Sequence, residues 1–91
     1  SGGMEAFYKY LSQEIKYPAY SAKNKIGGTV KLSFVVTKTG GIENVEIIES
    51  PNDELAREAI RVLKNSKGWQ PGKMFGKIVN VKYRIPIKFS L

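Results

Sequence analysis

The chain contains no cysteine and no histidine. The absence of cysteine excludes disulfides and thiolate metal sites, and it fits any redox compartment without selecting one. With histidine missing too, nucleophilic catalysis would have to rest on a serine with a lysine, or on a carboxylate pair. No apolar run approaches the length needed to cross a bilayer, and no signal peptide is recognisable. Acids are also scarce: 8 Asp and Glu stand against 15 Lys and Arg, for a formal charge of +7. From Gly68 to Leu91 there is no acid at all, although Lys73, Lys77, Lys82, Arg84 and Lys88 lie there. Such a balance favours acidic partners, whether nucleic acid, anionic lipid or an acidic peptide.

What remains is a globular composition. Its 91 residues suffice for one core, and a hydrophobic fraction of 42% excludes wholesale disorder. Ser1-Gly2-Gly3 reads as a tag or linker remnant ahead of a domain at 4–91, so the chain is expected to be a piece of a longer protein. Residues 4–16 read as a helix with Tyr8, Leu11, Ile15 and the neighbouring Phe7 as its apolar stripe. Tyr17-Pro18 ends it, because proline drives the preceding residue out of the helical region. Residues 18–28 read as a basic connection.

Alternation then takes over. Thr29 to Thr37 reads as a strand with Val30, Leu32, Phe34 and Val36 on one face. Lys38-Thr39-Gly40-Gly41 supplies a turn, and Ile42 to Glu49 returns with Val45 and Ile47 expected to face inward. A second helix follows, with Ser50 as the expected cap, Pro51 in its first turn and Asp53 placed to favour the dipole. Its expected buried stripe is Leu55, Ala56, Ala59, Ile60 and Leu63, and Gly68 is the expected stop. After the Trp69-Gln70-Pro71-Gly72 turn, Val79 to Leu91 alternates without a break and reads as one long strand. The order α-β-β-α-β predicts an α+β fold with two helices on one face of a three-stranded sheet. The third strand lies either beside the second in parallel, or beside the first in the order 2-1-3. In both cases it is an edge, which Pro86 fits.

Enzymatic chemistry finds little support. Glu43, Glu46 and Glu49 are spaced as an acidic strand face rather than as an acid/base pair. No ligand spacing suggests a metal, and no cofactor is expected. The glycines before "KIVNVKY" lead into a strand, where a phosphate loop needs a helix N-terminus. A basic sheet backed by helices also has the layout of an RNA-recognition module. That module stacks bases on outward aromatics, whereas the outward positions of the first strand here are Lys31, Ser33 and Val35. Nucleic acid is therefore not the expected partner.

Several marks in order carry a more specific resemblance. They are Tyr17-Pro18 after a helix, Gly28-x-Val30-x-Leu32-x-Phe34-x-Val36, Gly41-Ile42 with Val45-x-Ile47, Ser50 before a helix, and Trp69-x-Pro71-Gly72. Gly76 ahead of a strand ending Pro86-x-x-Phe89 completes the pattern. From about Phe7 to Leu91 the chain resembles the C-terminal domain family of TonB, the periplasmic energy transducer of Gram-negative bacteria. The resemblance implies the strand order 2-1-3 and a periplasmic domain tethered to an inner-membrane anchor. It implies partners as well: inner-membrane motor proteins reached through the rest of the protein, and outer-membrane transporters whose TonB-box peptide adds as a strand to the last strand. Carried over, that edge is Ile78, Val79, Asn80, Val81, Lys82, Tyr83, Arg84 and Ile85, and a further transporter contact falls on Gln13, Glu14, Ile15 and Lys16. The regular helix and Glu14 depart from the best-known members. The long first helix and Pro86-x-x-Phe89 look more like Bacteroidetes-type variants, some of which sit on sensor or peptidase-like membrane proteins. A homodimer through the same edge is a further expectation. Lys82, Arg84, Pro86 and Lys88 also match a guarded edge, so the strand reads as divided, open from Ile78 to Tyr83 and protected beyond. Trp69 and Tyr17 read as anchors of core and loop rather than contacts.

Overall fold

The computed structural model describes residues 3–91. Ser1 and Gly2 of the expected linker stretch lie outside the described residues, and Gly3 already begins helix α1, Gly3–Glu14. Phe7 and Leu11, one turn apart, are its buried residues, with Met4, Tyr10 and Ile15 packed against the same core. Tyr8, expected in that stripe, lies one step round the helix and is exposed. The helix stops two residues earlier than expected, and the chain then enters a short helix α2, Ala19–Lys23, immediately after Pro18. Five residues are too few to show a period, so this helix was legible only as a connection. A carboxylate fixes it from outside. Glu54 Oε1 accepts from the Ser21 N–H at 2.9 Å and from its hydroxyl at 2.6 Å, and Ser21 is wholly buried.

Strands β1, Gly28–Val36, and β2, Ile42–Glu49, form the expected hairpin. Gly28 has φ +138°, and a Cβ there would stand 2.8 Å from Pro51 Cγ, so the entry to β1 admits no side chain. The register between β1 and β2 slips twice, and Asn44 at φ 52° falls in the second slip, between the Glu43 and Glu46 pairings. Ile47 pairs with the buried Leu32 and so keeps the core-facing side of β2, but β2 is an outer strand of the sheet. Val45 still reaches the core rim, but Ile47, expected inward, is 50% exposed, as is Ile48.

Helix α3, Asp53–Asn65, is capped by Asn52, whose side-chain oxygen accepts from the Leu55 N–H at 2.8 Å. The Ser50 hydroxyl, expected in that role, instead donates to the Asn52 carbonyl at 2.7 Å, which leaves Pro51 ahead of the helix rather than in its first turn. Val62 takes the buried place expected of Ile60, which is only partly covered.

After Trp69 the chain forms a second, smaller hairpin of β3, Gly72–Met74, and β4, Lys77–Val79, before β5, Val81–Phe89. The expected single strand is thus broken at Asn80. Period two cannot reveal the break, because both pieces keep the same alternation through it. The main sheet is wholly antiparallel with order β2-β1-β5, the 2-1-3 arrangement rather than the parallel alternative. Val30, Leu32, Phe34 and Val36 of β1 and Ile85, Ile87 and Phe89 of β5 share one face, and α1 and α3 cover it.

Candidate functional site

The outer edge of β5 is set by a hydrogen bond at the far end of β1. The Thr37 N–H bonds the Gly41 carbonyl at 2.9 Å, so Thr37 turns its backbone toward β2. Backbone direction alternates along a strand, so Val36, Phe34, Leu32 and Val30 turn toward β5. Their partners Val81, Tyr83, Ile85 and Ile87 turn back toward β1. Lys82, Arg84, Pro86 and Lys88 are left with their backbone groups directed outward. Pro86 has no N–H to offer, and its carbonyl accepts from the Tyr8 hydroxyl at 3.0 Å. The outward backbone is therefore closed at Pro86 and free at Lys82 and Arg84, one residue beyond the boundary at Tyr83 expected from the sequence.

The small hairpin does not cover the open part. A Cβ on Gly40 would stand 3.1 Å from the Trp69 carbonyl oxygen, which places the approach to β3 beside the β1–β2 turn. A Cβ on Gly72 would likewise press on Val81 Cβ at 3.2 Å. The β3 strand thus sits on the β1 side of the line from β4 into β5. Asn80 joins the two pieces, its side-chain oxygen accepting from the Lys38 N–H at 2.9 Å just beyond β1. In the two-residue turn Met74 and Lys77 form the closing hydrogen-bonded pair, so Lys77 and Val79 face β3 and Ile78 faces away. Ile78, Lys82 and Arg84 accordingly share one free side.

Beneath this edge lies an aromatic cluster. Tyr83 stacks on Phe34 at 5.7 Å between centroids, and Trp69 touches Tyr83 at 5.5 Å, Phe34 at 5.1 Å and Phe7 at 5.2 Å. The indole N–H donates to the Ser66 hydroxyl at 2.7 Å. Trp69 holds the N-terminal half of β5 against β1 from the helix side, as an anchor. A largely apolar cavity of about 460 Å³ opens beside it, walled by Met4, Phe7, Tyr10, Trp69 and Tyr83. Among the described residues no group of acids could hold a metal, and no helix is long and apolar enough to cross a membrane.

The chain as a whole is similar to known proteins. The model of the family described as "Gram-negative bacterial TonB protein C-terminal" matches residues 13–91. The chain belongs to the TonB C-terminal family. It is 33% identical over 72 residues to Protein TonB of Escherichia coli strain K12, a match that takes in 77% of this chain and 30% of that protein. The chain thus spans about a third of the length of that relative. Two NMR solution structures of the TonB C-terminal domain of Helicobacter pylori share the fold. One covers 93% of this chain and 77% of its own at a TM-score of 0.76 and 23% identity. The other covers 96% and 91%, with a TM-score of 0.70 and 20% identity.

Within this TonB C-terminal domain the two expected contact segments do not form one patch. Tyr17 packs edge-on against Phe89 at 5.6 Å and its hydroxyl donates to the Ile26 carbonyl. Six residues of strand, about 20 Å, separate Phe89 from Tyr83. Gln13 and Glu14 are exposed, Ile15 is half-buried against the core, and the Lys16 N–H is taken by Glu58 Oε2 at 2.7 Å. Arg61 also grips Glu58, through Nε and Nη2 at 2.8 Å each, and its Nη2 reaches the Glu14 carbonyl at 3.1 Å. The Arg61 bonds first, and the Lys16 N–H after them, hold the Glu58 carboxyl below its ordinary pKa. This segment is therefore tied to α3. Pro71 leads into β3 as a turn residue, and the Gly41 N–H donates to the Thr37 hydroxyl at 3.1 Å. Sequence reasoning missed the roles of Tyr8 and Asn80, and the only available signal for the small hairpin was Gly76 two residues after Met74.

Proposed function

We propose that this domain binds the TonB-box peptide of outer-membrane transporters by adding it as a strand along the outer edge of β4 and β5, over Ile78 to Ile85. The observation that carries this reading is the outward backbone of Lys82 and Arg84, continued by Ile78, on an edge that no strand pairs with among the described residues. A peptide laid there completes the unpaired donors and acceptors. Each bond contributes about 0.5–1.5 kcal/mol net, so a short strand binds weakly to moderately and with little demand on its sequence. Lys82 and Arg84 add attraction for an acidic peptide and speed its approach. Membership of the TonB family and the match to Protein TonB support the wider reading. In that reading the domain works in the periplasm as part of an inner-membrane-anchored protein. It passes energy from inner-membrane motor proteins to transporters and catalyses no reaction itself.

The test is titration of a synthetic TonB-box peptide, taken from a transporter of the same organism, into isotope-labelled protein. Amide shifts confined to residues 78–85, with slowed exchange at Lys82 and Arg84, are the expected result. Shifts clustered on β2 or α3 that spare β5 would overturn the edge-docking mechanism.

A further inference from the structure

The β3–β4 hairpin ends in Phe75 and Gly76, both at positive φ, 52° and 77°, the geometry of a type I′ turn. That turn favours Asn or Gly at its first central position, and a bulky side chain there is unfavourable. Yet the chain places a phenylalanine at this point, and its ring is 97% exposed. It buries nothing of the fold, so the strained position brings the domain no packing in return. Met74 and Ile78 beside it are also exposed, at 59% and 50%.

The register shows how these side chains are arranged. Met74 pairs with Lys77 and Lys73 pairs with Ile78, and cross-strand partners share a face. Next to the turn each face of the ribbon thus carries one exposed apolar residue and one lysine, with the half-buried Val79 further back on the Met74 face, and the tip carries Phe75. A groove on a protein would call for one apolar face and one polar face. Apolar residues on both faces, converging on an aromatic tip with a lysine on either side, suit insertion along the hairpin axis into a lipid interface. Lysine stems lie along the apolar region while their ammonium groups reach headgroup phosphates. The charge agrees, because the last 24 residues hold five cations and no acid.

We infer that the β3–β4 hairpin is a membrane-interface anchor, with Phe75 inserted among the acyl chains of an anionic phospholipid surface and Lys73 and Lys77 on its headgroups. The inference shares only Ile78 with the peptide-binding edge, and the residues that decide it, Phe75, Lys73 and Lys77, lie outside that edge.

The test is co-sedimentation of the protein with vesicles of phosphatidylglycerol and phosphatidylethanolamine, or of phosphatidylcholine alone, near physiological ionic strength. The decisive variant is Phe75→Asn, because Asn-Gly favours the same turn and leaves the charge unchanged; its amide spectrum verifies the hairpin. Wild type is expected to sediment with the anionic vesicles and not with phosphatidylcholine. Phe75→Asn is expected to partition about tenfold more weakly, the effect of removing one inserted aromatic side chain. Exchanging both Lys73 and Lys77 for Gln should lower anionic binding as well. Equal sedimentation of Phe75→Asn and wild type would overturn the proposal and leave general charge attraction. So would a wild type that stays in the supernatant. If Phe75→Asn then weakened binding to a detergent-solubilised outer-membrane transporter, the tip would be a protein contact instead.

Discussion

The Tyr8 hydroxyl, on the first helix, donates to the Pro86 carbonyl at 3.0 Å and so caps the one outward acceptor that lies beside a missing donor. Helix α1 closes the C-terminal half of β5 with a single bond, and the strand is usable as an edge only before that point. Tyr8→Phe should leave the fold intact and lower stability by about 1 kcal/mol or less, since the bond is exposed. Urea denaturation measures the loss. Peptide protection spreading from Arg84 toward Lys88 in the variant would show that the hydroxyl sets the length of the open edge.

Proline substitution separates the two sides of β5. Arg84→Pro removes an outward donor at the same parity as the native Pro86, so the domain should stay folded while peptide binding falls. Tyr83→Pro removes a donor directed at β1 and disrupts the aromatic cluster, so it should unfold the domain. Circular dichroism and peptide titration of the pair give the answer together. An unfolded Arg84→Pro beside a folded Tyr83→Pro would reverse the assigned backbone directions.

Trp69→Ala should destabilise by about 3 kcal/mol, the lower end for loss of a large aromatic, because the ring is only partly buried. It would enlarge the cavity beside Tyr83 and loosen the N-terminal half of β5. The measurement is the denaturation midpoint, with peptide affinity determined well below it. Unchanged stability together with lost binding would make Trp69 a contact instead of an anchor.

Glu58 predicts a pH effect. Its folded pKa lies below its unfolded one, so its contribution to stability is present above the ordinary carboxylate range and is lost as pH falls through the folded value. Glu58→Gln should destabilise the domain at neutral pH and match wild type more closely in acid. Denaturation curves at pH 7 and pH 3 test the sign, and a gap that widened in acid would refute it.

Much of the fold was legible because its elements repeat. Val30 to Val36 alternate with the single exception of Val35, and Phe7 with Leu11 marks a helical turn. Elements governed by single side chains were not. Asn52 and Ser50 are both good caps by type, and only the backbone path shows which one accepts from Leu55. Ile47 has the parity of a core residue and pairs with the buried Leu32, but it stands on an outer strand where little covers it, and the place of a strand in the sheet leaves no period. At the candidate site, the edge could be placed on the last strand from its proline and its basic face. The directions of its backbone groups follow from the Thr37–Gly41 bond, and Pro86, which has no N–H to give β1, agrees with them.

The pairing of Gly28 with Phe89 and of Thr29 with Lys88 has a kinetic consequence. The central strand meets one neighbour locally, across a five-residue connection, and the other only when the two ends of the domain come together. Loop closure on that scale is slow and yields little until several pairs zip at once. The β1–β2 hairpin therefore forms early and waits with one side of β1 bare. During synthesis that bare side persists until Val81–Phe89 has emerged. Any chain cut short before Val81 would keep it exposed, ready to pair with a neighbouring chain.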